Sequence, residues 1–446
     1  MKLDSAIVSL LGLDPDKTSV SSSGGVGMSS ASTSKITTEL PDGSEKQYFM
    51  KTGEGREAEI MFAGEHASLN AIHNAVPTLC PKSFGHGKLA DVPGKSFLVS
   101  DFLELSGRFS SSKRSSGAMS LAQKLAKLHA TPAPVPEGYE KPQFGFPAST
   151  CCGDTPQDNT YTSSWADFYA NRRLRFIVNQ SKKANGADQQ LESLVEETCS
   201  KVIPRLIGDA YLNNGRGITP VVVHGDLWSG NASVGKLPGM TEPEDVVFDS
   251  SACYAHSEFE LGIMKMFGGF GASFLKEYHE ILPKTEPVKE YEDRVKLYEL
   301  YHHLNHHALF GGGYKSGAVS IMRDLVGRTS LRELGRGTEY SATNPIATLK
   351  VSLVLHQGYR GPGPIGRLAA TNPEVEALDT LPLPPLDMVD GDDLAEVVHE
   401  VDGPVSGVGL PRIAPCAGKK SGQQLILHAA SPTYTRVAPP TQRNTY

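Results

Sequence analysis

Six cysteines in 446 residues are too few for a disulfide framework, and none of them stands in CxxC spacing. Cys80, Cys151, Cys152, Cys199, Cys253 and Cys416 therefore read as reduced thiols, with the adjacent pair 151/152 packed rather than bridged. Positive charge is also short: 43 Lys and Arg stand against 50 Asp and Glu, a net charge of −7. That balance excludes a general nucleic-acid or membrane-surface binder. No apolar run approaches the length of a bilayer span. The short apolar piece at residues 7 to 11 is flanked by Asp4 and Asp14, unlike a secretory leader. A cytoplasmic enzyme, with neither nucleic acid nor membrane as partner, is the expectation that these absences leave.

What is present is a compact polar motif set between β-branched runs. Val221-Val222-Val223 reads as a buried strand that ends in His224-Gly225-Asp226-Leu227-Trp228-Ser229-Gly230-Asn231. A second apolar run, Val246-Val247-Phe248, delivers Asp249. A carboxylate, an amide five residues on and a strand-end carboxylate form the layout of a kinase centre. There the first Asp takes the proton of an attacking hydroxyl, while the Asn and second Asp hold a metal on the phosphates. Downstream, Glu258 and Glu260 can brace the catalytic loop or bind metal, bracing being the commoner use of a buried Glu.

The first hundred residues supply matching parts. Residues 18 to 51 read as three strands with turns at 23–27 and Pro41-Asp42-Gly43, the first carrying Gly24, Gly25 and Gly27. Backbone amides of such a turn can lie over phosphates. Residues 56 to 76 have helical period, and Glu65 falls inside the apolar sector with Ala58, Met61, Phe62, Leu69 and Ile72. A carboxylate there needs a partner, and Lys51 at the end of the preceding strand is the natural one. The strand around 96–99 runs into Asp101-Phe102-Leu103, read as a connector whose backbone meets an adenine ring.

Beyond, 119–130, 165–178, 187–206 and 291–310 read as helices. The last carries His302, His303, His306 and His307. Their i,i+4 pairs could hold zinc, but without a Cys or carboxylate nearby a histidine and aromatic wall is the preferred reading. From 328 the chain becomes rich in Gly-Pro and Pro-Leu-Pro-Pro, with an acidic patch, and reads as low-complexity and mostly disordered. The expected division is thus 1–105, a nucleotide-binding lobe; 106–327, a catalytic and substrate lobe; and 328–446, a tail.

The strings HGDLWSGN at 224–231, FDSSACYAHSEFELGIMKMFGGF at 248–270 and FGFPASTCCGDTPQDN at 144–159 resemble the fructosamine/ketosamine-3-kinase family, above all its fungal ribulosamine-3-kinase-like members. The resemblance covers roughly 5 to 327. It implies an α+β, protein-kinase-like bilobal fold and transfer of phosphate from ATP, with Mg²⁺, to the sugar 3-hydroxyl of ketosamines. Glycated proteins or small ketosamines would be the substrates of such a deglycation enzyme, which would be a monomer or weak dimer. By position, Asp226 resembles the base, Asn231 and Asp249 the metal ligands, Lys51 and Glu65 the nucleotide-positioning pair, and Trp228 and His306 the sugar-pocket lining. Two departures stand out: Ser250 where an Asp-Pro pair is expected, loosening the turn, and Gly27 where many relatives carry a cysteine. Protein kinases place a lysine two residues after the base, whereas Trp228 stands here and suits a sugar ring. The rival readings are an aminoglycoside- or choline-type kinase, and a pseudokinase binding module.

Overall fold

The computed structural model describes residues 2–22, 31–109, 117–340, 349–354 and 396–401, with side chains as far as 332. Gly24, Gly25 and Gly27 lie outside the described residues, as does most of 328–446. The chain divides into two units, 1–336 and 337–446.

The first unit opens with helix α1 (Ser5–Leu11), capped by the Asp4 side chain on the Ala6 amide. Strands β1 (Thr18–Ser22), β2 (Ser32–Glu39), β3 (Glu45–Glu54), β4 (Ser83–Lys88) and β5 (Lys95–Asp101) form one antiparallel sheet in the order β1-β2-β3-β5-β4. Helix α2 (Gly55–Ala75) crosses it between β3 and β4. Strand period 2 sorts the side chains. Tyr48, Met50, Phe97 and Val99 pack with Ile7 and Leu3 around α1, while Leu98 on the other face packs with Ala58 and Phe62 of α2. Lys51 is the register partner of Leu98, so it too faces α2. A lysine on that face is buried with the helix above it.

After β6 (Glu104–Arg108), helix α3 (Leu121–Ala130) starts at a capping box between Ser120 and Gln123. The hairpin β7 (Cys151–Cys152) and β8 (Thr155–Pro156) precedes a long helical run, α4 (Trp165–Phe168) and α5 (Phe176–Asn185) joined by a π-helical stretch at Tyr169–Arg175. Helices α6 (Gln189–Glu197) and α7 (Ile203–Ile207) complete this scaffold. Strand β9 (Val221–Val223) is fully buried, which explains its three β-branched residues. Strand β10 (Ala232–Lys236) pairs with both β6 and β11 (Glu244–Val247) in a second sheet, and β12 (Cys253–Ala255) pairs with β9.

The core of this helical part gathers Trp165, Tyr169, Phe259 and Tyr298 beneath α8 (Glu260–Phe267), α9 (Ala272–Ile281) and α10 (Tyr291–Phe310). Helix α11 (Tyr314–Tyr340) corrects the expected boundary at 327, because it continues unbroken past it. The reason is electrostatic. Arg328 and Arg332 reach back to Asp293 at 3.1 and 2.7 Å, and Thr329 is buried. In the second unit, β13 (Leu349–Val354) and β14 (Glu396–Val401) pair antiparallel, so the segment read as mostly disordered contains a two-stranded ladder. Among the described residues, the five cysteines are free and no helix is long and apolar enough to cross a membrane.

Candidate active site

The centre is built where three strand ends meet. From β3, Lys51 Nζ lies 2.8 and 3.0 Å from the two oxygens of Glu65 on α2, and 2.7 Å from Asp249 Oδ1. Burial works against the Lys51 ammonium, but the two carboxylates outweigh it and hold its pKa above the ordinary value. Burial likewise pushes Glu65 up, with Lys51 opposing. The expected Lys51–Glu65 ion pair is therefore present, and Asp249 joins it. The Asp249 side chain keeps 49% of its surface open, so it can serve both Lys51 and a ligand.

Asp249 has φ 55°, a left-handed conformation that suits few residues other than Gly, Asn and Asp. The turn after it is not loose. Ser251 N donates to His224 O at 2.9 Å and Ala252 N donates to Ser68 Oγ of α2 at 3.0 Å. Ser250 is buried inside this turn, its hydroxyl without a partner among the described residues, and the anchors on either side hold the turn that it was expected to loosen.

The loop after β9 is held by Glu260. Its carboxylate accepts from the amides of His224 at 2.5 Å and Gly225 at 3.0 Å. His129 stands 3.5 Å from Glu260 and hydrogen-bonds Tyr278 at 2.7 Å. His224 bridges the two strand ends: Nε2 meets the Phe248 carbonyl at 3.0 Å, and Nδ1 accepts from Asp226 N at 3.3 Å. Those two contacts require a neutral ring protonated on Nε2, consistent with a pKa lowered by burial. Gly225 has φ 82°, and a Cβ there would stand 2.0 Å from Ser251 O. No other residue fits. The second carboxylate, Glu258, pairs instead with buried Arg294 at 2.7 and 3.1 Å. Both downstream glutamates are braces.

Asp226 is partly buried. Burial, then the negative charges of Asp249 and Glu260, push its pKa up to about 8. Asn231 Nδ2 donates to the Asp226 carbonyl at 2.8 Å and approaches its Oδ2 at 3.3 Å. That leaves Asn231 Oδ1 as an oxygen donor. The Phe248 amide bonds Asn231 O at 3.2 Å, which ties Asn231 and Asp249 to the same end of the β10–β11 ladder. Asn231 Oδ1 and the open Asp249 carboxylate make an oxygen-only donor set, the kind that suits Mg²⁺ completed by water and phosphate. Among the described residues no group of three or more His, Cys, Asp or Glu forms a self-sufficient metal cage.

Two residues after Asp226, Trp228 opens an aromatic wall. The Trp228 ring covers Gly230, where a Cβ would stand 2.1 Å from the indole. Trp228 meets Phe267 at 5.8 Å between centroids, and Phe267 meets His306 at 5.1 Å. His306 continues to Phe310 and Tyr314. Its Nδ1 donates to His302 O at 2.8 Å, leaving Nε2 as an acceptor, and burial lowers its pKa. The structure thus brings Trp228 and His306 to one wall through Phe267, a residue the sequence reading passed over inside a helix. His302 turns the other way, stacked on Phe259 in the core. At the connector, Asp101 is held by Lys82 N at 3.1 Å, Phe102 lies under Lys35, and Leu103 packs over Gly235 of β10.

A five-stranded sheet with a Lys–Glu pair under its helix, joined to a loop carrying Asp and Asn and a strand-end Asp, defines a kinase-like phosphotransferase with an alcohol as acceptor. The sequence profile of the fructosamine kinase family matches residues 17–328. The chain belongs to that family. It is 36% identical over 295 residues to mouse ketosamine-3-kinase, covering 62% of this chain and 87% of the relative. It is also 36% identical to the chloroplastic protein-ribulosamine 3-kinase of indica rice over 284 residues, 63% of this chain and 72% of that one. A crystal structure assigned as a fructosamine-3-kinase of Haemophilus somnus superposes with a TM-score of 0.55 at 20% identity, over 73% of this chain and 96% of that one, a likeness of fold.

Proposed function

We propose that the protein is an ATP- and Mg²⁺-dependent kinase that phosphorylates the 3-hydroxyl of ketosamines, on glycated proteins or as small molecules. The observation that carries this reading is the Asp226 carboxylate beside Asn231, on a loop whose Trp228 amide donates to the Asp226 carbonyl and whose indole opens the Trp228–Phe267–His306 wall. Mouse and rice relatives named for ketosamine and protein-ribulosamine 3-kinase activity support the same acceptor class. Family membership disfavours the choline, aminoglycoside and pseudokinase readings.

In this mechanism residues 1–105 bind the nucleotide. Lys51, steadied by Glu65, orients the α- and β-phosphates, and the backbone of Asp101, Phe102 and Leu103 meets the adenine. Asn231 Oδ1 and Asp249 would hold Mg²⁺, which when bound neutralises charge on the β- and γ-phosphates. Trp228 stacks on the sugar, and His306 Nε2 accepts from a sugar hydroxyl. Asp226 takes the proton of the 3-hydroxyl as its oxygen attacks the γ-phosphorus and ADP leaves. A raised pKa suits this role, because a base works best when its pKa lies near the working pH.

The test is phosphate transfer from ATP across a panel of ribulosamine, fructosamine, choline and an aminoglycoside. Turnover with the ketosamines and not with the others is expected. Turnover confined to choline or the aminoglycoside would overturn the acceptor assignment.

A further inference from the structure

One buried nucleophilic group touches the proposed base and has no part in the mechanism above. The β7–β8 hairpin presents Cys152, whose Sγ lies 3.8 Å from Asp226 Oδ1, within reach of a sulfur donor. The side chain is 1% exposed. It is also rigidly backed. Asn305 of α10 donates to the Cys152 carbonyl at 3.1 Å. Gln157 closes the hairpin base through Thr150 O at 2.8 Å and is itself fixed by Tyr301, at 2.6 Å. Asn159 bonds Thr150 Oγ1 at 2.8 Å and is held in turn by the buried Arg173 at 2.8 Å. Six polar side chains are thus spent on a hairpin that fixes one thiol against one carboxylate.

Chemistry sets the direction of the contact. A thiolate facing a carboxylate would be doubly charged and buried, and burial followed by the Asp226 charge pushes the Cys152 thiol well above its usual range. The sulfur therefore keeps its proton and can only donate to an ionised Asp226. Asn231 Nδ2 approaches the other oxygen, Oδ2. One donor on each oxygen fixes the plane of the carboxylate, leaving further lone pairs for an incoming hydroxyl.

We propose that Cys152 is a positioning residue for phosphoryl transfer: its S–H donates to Asp226 Oδ1 and, with Asn231, aims the base at the acceptor hydroxyl. This rests on Asp226 being the base. The thiol keeps its proton throughout, and Asp226 alone receives the proton of the substrate. No bond to sulfur forms, and nothing is oxidised.

The experiment measures steady-state rates with ATP and ribulosamine for wild type, Cys152→Ala, Asp226→Asn and the double variant. Cys152→Ala is expected to lower kcat on the order of threefold to tenfold, as for a weak donor to a charged group, with KM for ATP unchanged. In the Asp226→Asn background the same change should have no further effect, because the group it acts through is gone. An equal loss in both backgrounds, or no loss in either, overturns the proposal. Full activity of Asp226→Asn itself would instead remove the base assignment, so the two failures are distinguishable. Should the alanine variant fail to fold, the infrared S–H stretching region of wild type against Asp226→Asn answers alone. One buried thiol band should move to higher frequency in the variant, and an unchanged region overturns the contact.

Discussion

Replacing Lys51 with Met tests the pairing at the root of the nucleotide side. Lys51 is the only cation given an ion pair with either Glu65 or Asp249 among the described residues. Its removal leaves two carboxylates facing each other, one of them, Glu65, buried. Removing one partner of a buried pair costs about 3–5 kcal/mol. Two features reduce that here: Asp249 is half open to solvent, and Glu65 can take up a proton. A loss of about 2–4 kcal/mol at neutral pH is expected. Glu65→Gln should cost less, about 1–2 kcal/mol, because the amide oxygen still accepts from Lys51 and Asp249 still balances its charge. The pH dependence has a definite sign. Glu65 has a folded pKa above its unfolded value, so its contribution is full below the unfolded carboxylate range and is lost as pH rises through the folded value. Losing Lys51 raises that folded value further. The deficit of Lys51→Met should therefore widen as pH rises from the unfolded carboxylate range through the folded Glu65 value. Urea denaturation at several pH values measures this directly. A deficit that is flat with pH, or smaller than that of Glu65→Gln, would refute the reasoning.

Gly225→Ala should lower stability by about 2 kcal/mol or more and reduce turnover further, since the added Cβ, next to Asp226 in sequence, meets Ser251 O; an unchanged Tm would contradict the geometry. Trp228→Ala should raise the acceptor KM about tenfold and leave the ATP KM unchanged, by initial-rate kinetics, if the indole is a sugar platform. A chain ending at residue 336 should keep the thermal stability of the first unit. One ending at 327 should lose about 1–3 kcal/mol, because buried Asp293 loses both Arg328 and Arg332.

The strand–loop–strand centre was legible because its pieces lie close in sequence and each has its own signal. β-branched residues run into β9, a glycine sits where only glycine fits, and Asn231 follows Asp226 on the same loop. The Lys51–Glu65 pair was legible for a different reason: helical period places Glu65 on a face that can tolerate a carboxylate only if it is paired. Glu260 was legible as a brace but not in what it holds, and His129 and Cys152 gave no such signal. They reach the loop from segments 34, 97 and 74 residues away from Asp226, and only the fold brings them together. Phe267 was hidden inside a run that reads as ordinary helix core, although 40% of it is exposed. The end of the helical part was misplaced because composition changes near 328, whereas the two arginines that hold α11 down stand just beyond.

The most direct measurement follows the phosphate itself. Wild-type protein, ATP and Mg²⁺ are incubated with a ribulosamine-bearing peptide, and the product is read by phosphorus and carbon NMR. The expected result is a phosphate ester on the sugar 3-oxygen, absent with Asp226→Asn, followed by loss of the adduct and recovery of the free amine. A phosphate on another hydroxyl, or on a Ser or Thr side chain of the peptide, would contradict the account.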